Sequence, residues 1–408
     1  MDIDNNKENT PSAGKKEKKR HLFGKGFSIG LMTGIAGMSA AFAIVISTGS
    51  GMLSPKAYFK AKRLSSIIDK YYYKNVSVSK KRDGLYKGII ESTGDKYSEY
   101  YTPEEFSEME IDLTGDYAGI GIAVSTRESD KAMEIATVYK DSPAEKSGIK
   151  KGDVIVAVDG KKISDMKLDD AVKLVRGEPG TKVSLTLKRD SSEYTRDVVR
   201  KKINIPTVDY KMLDDGIGYI NISQFADGTA DEFEKAIKDL QSQGMKAVIY
   251  DVRFNGGGLV ESVTKVLDDI LPAGTVVYMK DKYGRKTDFK SDDKKSLHIP
   301  TVVLTSGNTA SAAEIFTGAI RDFHYGKIIG TKTFGKGIVQ TTMPLGDGSA
   351  VKITTDTYYT PSGDAIHKKG IKPDIKLKYK FLGNKDQDYD VTLDNQIRKG
   401  AEVLKSEL

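Results

Sequence analysis

The longest apolar segment of the chain lies close to its N-terminus. Residues 27–49 contain no charged side chain and are mostly apolar, whereas residues 1–26 are polar and show no apolar periodicity. Because a bilayer-spanning helix needs about 20 apolar residues, the pattern predicts a transmembrane signal anchor over 27–49 after a disordered tail. A cleaved signal peptide ending near Ala41-Phe42-Ala43 is one alternative. A buried soluble helix is the other, and the many glycines disfavour it.

Two apolar stripes at helical spacing follow, between residues 50 and 113. The stripes consist of Phe59, Leu64, Ile67, Ile68 and Tyr71, and then of Leu85, Ile89 and Ile90. This spacing predicts amphipathic helices over 56–113. Neither stripe contains a recognisable site, so packing or dimerisation is the natural interpretation.

Between residues 114 and 200 the pattern changes to short strands. The run GIGIAV at 119–124 enters a strand, and further strands are predicted over 154–158 and 181–188, with an amphipathic helix over 168–175. A strand beside a helix forms a groove in which an extended peptide can add to the strand edge. We expect Gly119, Ile120, Gly121 and Ile122 to bind that peptide. Ile120, Ile122, Leu168, Val172 and Val175 are predicted either to line its apolar pocket or to be core residues.

Strands and helices alternate from residue 201 to 380. The predicted strands cover 217–222, 247–252, 301–305 and 327–330, and the predicted helices cover 230–241, 259–269 and 311–322. This order is typical of helices packed on a sheet in an α/β layer. A helical cap is predicted over 391–404, with no visible chemistry.

Composition and charge exclude several classes of protein. The chain has 408 residues and no cysteine, which excludes disulfides, thiolate nucleophiles and Cys-ligated zinc. Seven basic and four acidic residues give the first 26 residues a net charge of +3, so the remainder contributes +4 of the total +7. That small excess over a long chain is not the footprint of a nucleic-acid-binding protein. The basic residues before the apolar segment predict that the tail stays in the cytoplasm.

Ser311 is the first candidate for chemistry. It follows a predicted strand and loop and opens a helix, where unpaired backbone N–H groups and the helix dipole favour negative charge. A nucleophile beside an oxyanion site is one interpretation, and an ordinary helix cap is the other. The run DVRFNGGG at 251–258 supports the first, because three glycines at the end of a strand allow close approach of a ligand.

A serine nucleophile needs a base. Lys336 lies in a glycine-flanked loop between two predicted strands, where burial could lower its pKa. Lowering that pKa by about 3 units costs the folded protein about 4 kcal/mol, which is tolerated at functional sites. Among the four histidines, His367 is the only plausible rival base.

Four ordered motifs extend this picture. They are DVRFNGGG at 251–258, TASAAE at 309–314, TFGKGIVQ at 333–340, and YYTPSG at 358–363 followed by GIKPD at 370–374. The chain therefore resembles the carboxyl-terminal processing peptidases, or tail-specific proteases, from about residue 58 to 380. Phe254 departs from the smaller or more polar residue that is common there. The run SPAEKSGIKKGD at 142–153 resembles the PDZ domains of bacterial proteases.

The resemblance implies a role for each matched residue. Ser311 would attack the peptide carbonyl, Lys336 would accept and return the proton, and Gln340 would orient Lys336. The N–H groups of Ala312 and Gly257 would bind the oxyanion, with Gly256 as the alternative to Gly257. No metal or organic cofactor is implied, and His367 falls in the last motif as a structural residue.

The implied fold class is α/β: a crotonase-like protease core with an inserted PDZ domain, helical N- and C-terminal pieces and one transmembrane helix. The predicted segments are a basic cytoplasmic tail (1–26), the anchor (27–49), a helical region (50–113), the PDZ domain (114–200), the protease core (201–380) and a helical cap (381–408). The predicted partners are proteins with free C-termini, the membrane and a second copy of the chain. The catalytic part is expected on the extracytoplasmic side of the cell membrane.

Arg176 is a candidate regulatory residue. It stands where the predicted PDZ helix runs into a turn, so its guanidinium could bridge the PDZ domain to the protease core, or it could be a surface charge at a helix end. Two other functions are compatible with parts of the pattern. One is a PDZ adaptor with an inactive catalytic domain, although the chain keeps Ser311, Lys336 and Gln340. The other is an esterase or amidase for small substrates, which would not need a peptide groove.

Overall fold

The protein is described from a computed structural model. The structure describes residues 54–408 apart from 115, 128 and 385–388. The predicted tail and transmembrane segment lie outside these residues. Within the described part of the chain, no helix combines the length and the apolar character needed to cross a bilayer.

The helices α1 (Pro55–Tyr71) and α2 (Val78–Glu91) follow the two predicted apolar stripes. Of the described residues, those up to Tyr86 form one compact unit and those from Lys87 onward form a second. Ser54 caps α1 and Pro55 stands at its first turn, as expected for a helix start. The apolar side chains of α1, including Phe59, Leu64 and Tyr71, are exposed.

The helical prediction for 56–113 missed one strand. A loop after α2 leads into β1 (Glu99–Tyr101), and the helix α3 (Pro103–Thr114) follows. Tyr100 and Tyr101 are buried because β1 pairs with a strand of the protease core, more than 200 residues away in sequence. A three-residue strand of this kind is specified by its distant partner and not by local periodicity.

A six-stranded antiparallel domain comes next. Its elements are β3 (Ile122–Thr126), β4 (Met133–Val138), α4 (Pro143–Lys146), β5 (Val154–Val158), β6 (Lys161–Lys162), α5 (Leu168–Val175), β7 (Lys182–Arg189) and β8 (Ser192–Val199). The sheet order β3-β4-β5-β7-β8 leaves β3 at an edge. The strands β2 (Asp116–Gly119) and β9 (Lys201–Asn204) pair as a two-stranded ribbon where the chain enters and leaves this domain.

The rest of the chain builds two further sheets with helices. The first sheet runs β10 (Val208–Met212), β11 (Ile217–Ile222), β12 (Ala247–Asp251), β15 (Thr301–Thr305), β16 (Lys327–Gly330) and β19 (Ile375–Lys376). The second contains β1, β13 (Gly274–Asp281), β14 (Lys286–Ser291), β17 (Ile338–Pro344) and β18 (Ala350–Tyr359). The helices are α6 (Thr229–Ser242), α7 (Val260–Asp268), α8 (Ala312–Asp322) and α9 (Asn395–Lys405).

The first sheet is covered on both faces. Alternate residues of its central strands, such as Val248 and Ile249, point to opposite faces and belong to two different cores. The larger core contains residues of α6, α7 and α8, and the smaller one contains Ile397 and Leu404 of α9. Parallel strands buried on both faces read as continuous apolar runs, which is why 247–252 and 301–305 could be predicted from sequence.

Candidate active site

Ser311 is held in a strained conformation at the start of α8. Its backbone angles are φ 56° and ψ −121°, a region that non-glycine residues rarely occupy. The main-chain oxygen of Ser311, and not its hydroxyl, accepts the hydrogen bond from Glu314 N at 2.8 Å. Among the described residues the Ser311 hydroxyl makes no capping hydrogen bond, although Ser311 and Glu314 are arranged as a capping box. The hydroxyl thus stands at the N-terminus of a buried helix, beside its backbone N–H groups.

Glu314 joins the serine loop to the lysine loop. Its carboxylate is completely buried. It accepts hydrogen bonds from Ser311 N (3.1 Å), Thr333 Oγ1 (2.5 Å), Gly335 N (2.8 Å) and Lys336 N (2.7 Å). Because all four donors bind the same carboxylate, the main chain at Ser311 and the main chain at Lys336 are held in fixed positions relative to each other. Sequence reasoning gave Glu314 no role, although Ser311 and Glu314 have the spacing of a capping box.

Lys336 lies in the loop between β16 and β17, as predicted. Burial lowers its pKa below the ordinary lysine value, the nearby positive charge of Lys352 lowers it further, and the negative charge of Asp95 opposes both. The ammonium lies over the ring of Tyr97, with Nζ 5.0 Å from the centroid. Of the hydrogen bonds among described residues, none joins Lys336 Nζ to Ser311 Oγ.

The glycines around Lys336 are required by space. A Cβ on Gly337 would lie 2.4 Å from His367 N, and one on Gly335, which has φ 92°, would lie 3.0 Å from Gly370 N. The segment 367–370 thus encloses the lysine loop. His367 packs here with its Nδ1 buried and without a hydrogen-bond partner among the described residues, and burial lowers its pKa.

Main-chain contacts bring the two loops together further. The buried hydroxyl of Tyr358, on β18, lies 3.0 Å from the carbonyl oxygen of Ser311 and also hydrogen-bonds that of Lys336. Gln340, on β17, does not reach Lys336 in this conformation. Its Nε2 donates instead to Thr354 Oγ1 at 3.2 Å.

The glycine loop lies directly against Ser311. A Cβ on Gly257, which has φ 115°, would stand 2.7 Å from Ser311 Cβ and 3.1 Å from Ala312 N. The N–H of Gly257 donates to Asn255 Oδ1 at 2.8 Å. The structure therefore brings Gly257, Ser311 and Ala312 together, and an oxyanion bound by Gly257 N–H would have to replace the Asn255 side chain.

A buried ion network supports the glycine loop from behind. Arg253 donates to Asp251 through Nε and Nη2 (2.9 and 2.6 Å), and through Nη1 to Asp394 Oδ2 (2.7 Å) and Gln396 Oε1 (2.8 Å). All four side chains are nearly fully buried. Ser306 Oγ hydrogen-bonds the carbonyl oxygen of Arg253. The C-terminal helix, which showed no chemistry in the sequence, thus helps to hold the strand that enters the glycine loop.

The antiparallel domain contains a second candidate site. A cavity of about 260 Å³ lies between β3 and α5 and is lined mainly by apolar residues, among them Gly119, Ile120, Ile122, Val172 and Val175. Gly121 has φ 84°, and a Cβ there would lie 2.3 Å from Ser142 Cβ. The edge strand β3 is thus positioned to accept an added peptide strand. Leu168 packs against the domain core instead of lining the cavity.

Arg176 stands at the C-terminal cap of α5 and lines the same cavity. Its guanidinium lies 5.3 Å from the ring centroid of Tyr117, on ribbon strand β2. The structure therefore places Arg176 between this cavity and the ribbon where the chain enters and leaves the antiparallel domain.

Comparison with known proteins gives the family. The model of peptidase family S41 matches residues 216–377 and that of a PDZ domain matches residues 134–189. The "Probable CtpA-like serine protease" of Staphylococcus haemolyticus is 36% identical over 383 residues, which cover 92% of this chain and 76% of the relative. This chain belongs to peptidase family S41. Its Staphylococcus aureus relative (strain N315) of the same name is 37% identical over 330 residues, covering 79% of this chain and 66% of the relative.

A solved structure of an S41 protease from Bacteroides fragilis shares the fold, with a TM-score of 0.51 at 15% identity, covering 84% of this chain and 97% of that chain. The predicted membership of the carboxyl-terminal processing peptidases is confirmed. The predicted α/β protease core with an inserted PDZ domain is also confirmed. This protein is a serine protease, as predicted.

Proposed function

We propose that the chain is an endopeptidase that cleaves proteins whose C-terminal tails bind its PDZ domain. Ser311 is the nucleophile, Lys336 the general base and Gln340 the residue that orients the base. The observation that supports this most strongly is the buried Glu314 carboxylate, which ties Ser311 N and Lys336 N to the same side chain. Ala312 N–H and either Gly257 or Gly256 N–H stabilise the oxyanion.

The reaction follows from these positions. Neutral Lys336 accepts the proton of Ser311 Oγ while the oxygen attacks the peptide carbonyl, and the ammonium then donates that proton to the leaving amine. Hydrolysis of the acyl-enzyme repeats the cycle with water. For proton transfer, Lys336 Nζ must leave the Tyr97 ring and approach Ser311 Oγ, and Gln340 must turn from Thr354 towards the lysine.

The apolar PDZ cavity favours tails that end in an apolar side chain. Its volume of about 260 Å³ suits one such side chain, with the carboxylate at the N–H groups of 118–121. An assay of casein beside a small ester tests the function. Cleavage of casein supports it, cleavage of the ester alone favours the small-substrate esterase, and cleavage of neither favours the adaptor.

The pH profile of proteolysis should identify the base. Only neutral Lys336 accepts a proton, so kcat/KM should rise with pH through a midpoint below the ordinary lysine value of 10.5, because burial lowers this pKa. Lys352→Met should move the midpoint to higher pH, since it removes a positive charge that lowers the pKa of Lys336. Initial rates on casein from pH 5 to 11 measure both effects.

A different outcome would assign the base to histidine. The pKa of His367 is lowered from 6.5 by burial. A midpoint at or below that value, with activity lost in His367→Ala and kept in Lys336→Ala, would contradict the lysine mechanism.

We also propose that Arg176 couples tail binding to catalysis. A tail in the cavity would meet the Arg176 side chain, and Arg176 stacks on Tyr117 of the connecting ribbon. Differential contacts of this kind are what allows a ligand to shift a two-state equilibrium. Arg176→Ala should lower kcat on a tailed protein by about tenfold, which corresponds to a coupling of about 1.4 kcal/mol.

The affinity for a tail peptide, measured on the full chain carrying Ser311→Ala, should hardly change in the same variant. Arg196→Ala is the matched control, because Arg196 stacks on Tyr194 of the same domain but does not line the cavity. Unchanged turnover in Arg176→Ala would reduce Arg176 to a surface charge.

The proposed location is the cell membrane, with a single N-terminal span and the catalytic part on the extracytoplasmic side. We expect residues 1–26 to be protected from protease added outside spheroplasts, and residues after Pro55 to be digested. A mature soluble chain that begins near Thr48 would show instead that the segment is cleaved. The exposed apolar stripe of α1 also supports a homodimer, which sedimentation would test.

A further inference from the structure

The loop after α2 meets the lysine site, and no motif of the sequence points to it. This loop, residues 93–98, carries Asp95, Tyr97 and Ser98, which are partly or fully buried. The ring of Tyr97 lies under the Lys336 ammonium, with 5.0 Å between Nζ and the centroid. A cation over an aromatic face is stabilised by the ring quadrupole, so Tyr97 provides a defined resting position for this side chain.

Asp95 holds that ring in place. Its Oδ1 accepts from Tyr97 N at 3.1 Å, and its Oδ2 accepts from Ser98 Oγ at 2.7 Å. The second oxygen also accepts from Thr354 Oγ1 on β18, at 2.6 Å. Thr354 N in turn donates to Ser98 Oγ at 3.1 Å. The loop is therefore fastened to β18 by two hydrogen bonds, and both depend on the groups around the Asp95 carboxylate.

The same network reaches Gln340. Because Thr354 Oγ1 donates its proton to Asp95, it presents a lone pair to Gln340 Nε2, which lies 3.2 Å away. Gln340 and Thr354 face each other across β17 and β18, directly after a register shift between Val339 and Gln340. One carboxylate thus fixes both the ring on which Lys336 rests and the amide proposed to orient it.

The charges facing Lys336 are few among the described residues. Asp95 is the negative group that acts on its ammonium, and Lys352 is the positive one. Lys352 is itself paired with Glu99 (3.6 Å) and hydrogen-bonded to Tyr101. Glu314 binds the main chain of Lys336, and His367 lies beside the adjacent Gly337.

We propose that Asp95 is a positioning residue for the general base, acting through Tyr97 and through Thr354 to Gln340. The loop 93–98 is then a clamp that holds Lys336 in its resting position and directs its transfer to Ser311. This inference rests on the proposed Ser311–Lys336 mechanism. It assigns a catalytic positioning role to part of the helical N-terminal region, in addition to packing or dimerisation.

The test uses four variants of the full chain: Asp95→Asn, Thr354→Val, Tyr97→Leu and Tyr97→Phe. Asp95→Asn keeps the side-chain shape and removes the negative charge, so the rising limb of kcat/KM should move to lower pH by roughly half a unit to one unit. Its kcat on the pH plateau should fall about tenfold with KM almost unchanged. Thr354→Val should lower kcat without a comparable shift, because it breaks the bridge and leaves the charge.

The two Tyr97 variants test the proposal independently of the Asp95 charge. Tyr97→Leu removes the ring and should lower kcat, whereas Tyr97→Phe keeps the ring face and should restore most of the lost turnover. Asp209→Asn, which removes an exposed carboxylate on β10, controls for a general change in charge. Thermal unfolding of each variant shows whether it is folded.

Folded Asp95→Asn and Tyr97→Leu with the kcat and pH midpoint of the parent would overturn the inference. If Asp95→Asn does not fold, Thr354→Val and the two Tyr97 variants decide. The proposed function fails in a different way: Lys336→Ala would then retain activity, whatever the Asp95 variants do.

Discussion

Ser311→Ala should abolish hydrolysis of peptide bonds. We expect turnover of casein to fall by at least about 10³-fold, as for removal of a nucleophile that acts as a unit with its base. The fold should remain intact, because the Ser311 hydroxyl makes no capping hydrogen bond and alanine keeps the main-chain contacts to Glu314. Gel-based cleavage assays and thermal unfolding measure the two effects separately.

Lys336→Met should cause a comparable loss while filling the same partly buried space. The variant should be at least as stable as the parent, because burial disfavours the charged lysine and methionine carries no charge. Lys332→Met, an exposed position in the same loop, is the matched control and should retain activity. Substantial proteolysis by purified Ser311→Ala or Lys336→Met would contradict the assignment.

The second large effect concerns stability. Arg253→Met should lower the free energy of unfolding by about 3–5 kcal/mol, because it leaves the buried carboxylates of Asp251 and Asp394 without their shared partner. Denaturant melts of the Ser311→Ala background measure this without self-cleavage. Activity should fall as well, since Arg253 holds the strand that enters the glycine loop.

Two further variants make this prediction specific. Arg285→Ala breaks an exposed ion pair with Asp281, so its melting midpoint should match that of the parent. Adding Asp394→Asn to Arg253→Met should recover part of the lost stability, because it removes one of the two unpaired charges. Equal midpoints for Arg253→Met and Arg285→Ala would show that the buried network does not stabilise the core.

Regular elements with local periodicity could be predicted from the sequence. Five elements were predicted with the bounds that the structure has: the strands 154–158, 217–222, 301–305 and 327–330, and the helix 168–175. The strands consist mostly of buried apolar residues, and the helix presents one apolar face. Their apolar pattern can therefore be recognised in the local sequence. The strands β1, β13 and β14 were not predicted. β1 is specified by its pairing with β18, more than 200 residues away in sequence, and β14 has a single large apolar residue, Phe289, so neither shows a strand pattern locally.

The functional residues differ in the same way: some could be recognised in the sequence and others only in the structure. The motifs around Ser311, Lys336, Gln340 and Gly257 are contiguous, so their resemblance to a family could be seen in one sequence. Glu314 had only its capping-box spacing to mark it. Asp95 and Asp394 had no comparable signal, because each acts on a residue more than 100 positions away.

By itself, then, the sequence determined the family, the order of the domains and the residue types available for catalysis, because these are properties of contiguous segments. The tertiary structure alone decided which groups surround the lysine. Folding places the ring of Tyr97 against the Lys336 ammonium. It also brings in Asp95, whose charge raises the pKa of Lys336, and Lys352, whose charge lowers it. The buried side chain of Arg253 supports the glycine loop. The burial of Lys336 and the charges around it depend on segments that meet only in the folded chain. This burial and these charges set the pKa of Lys336 and the position from which its side chain must move.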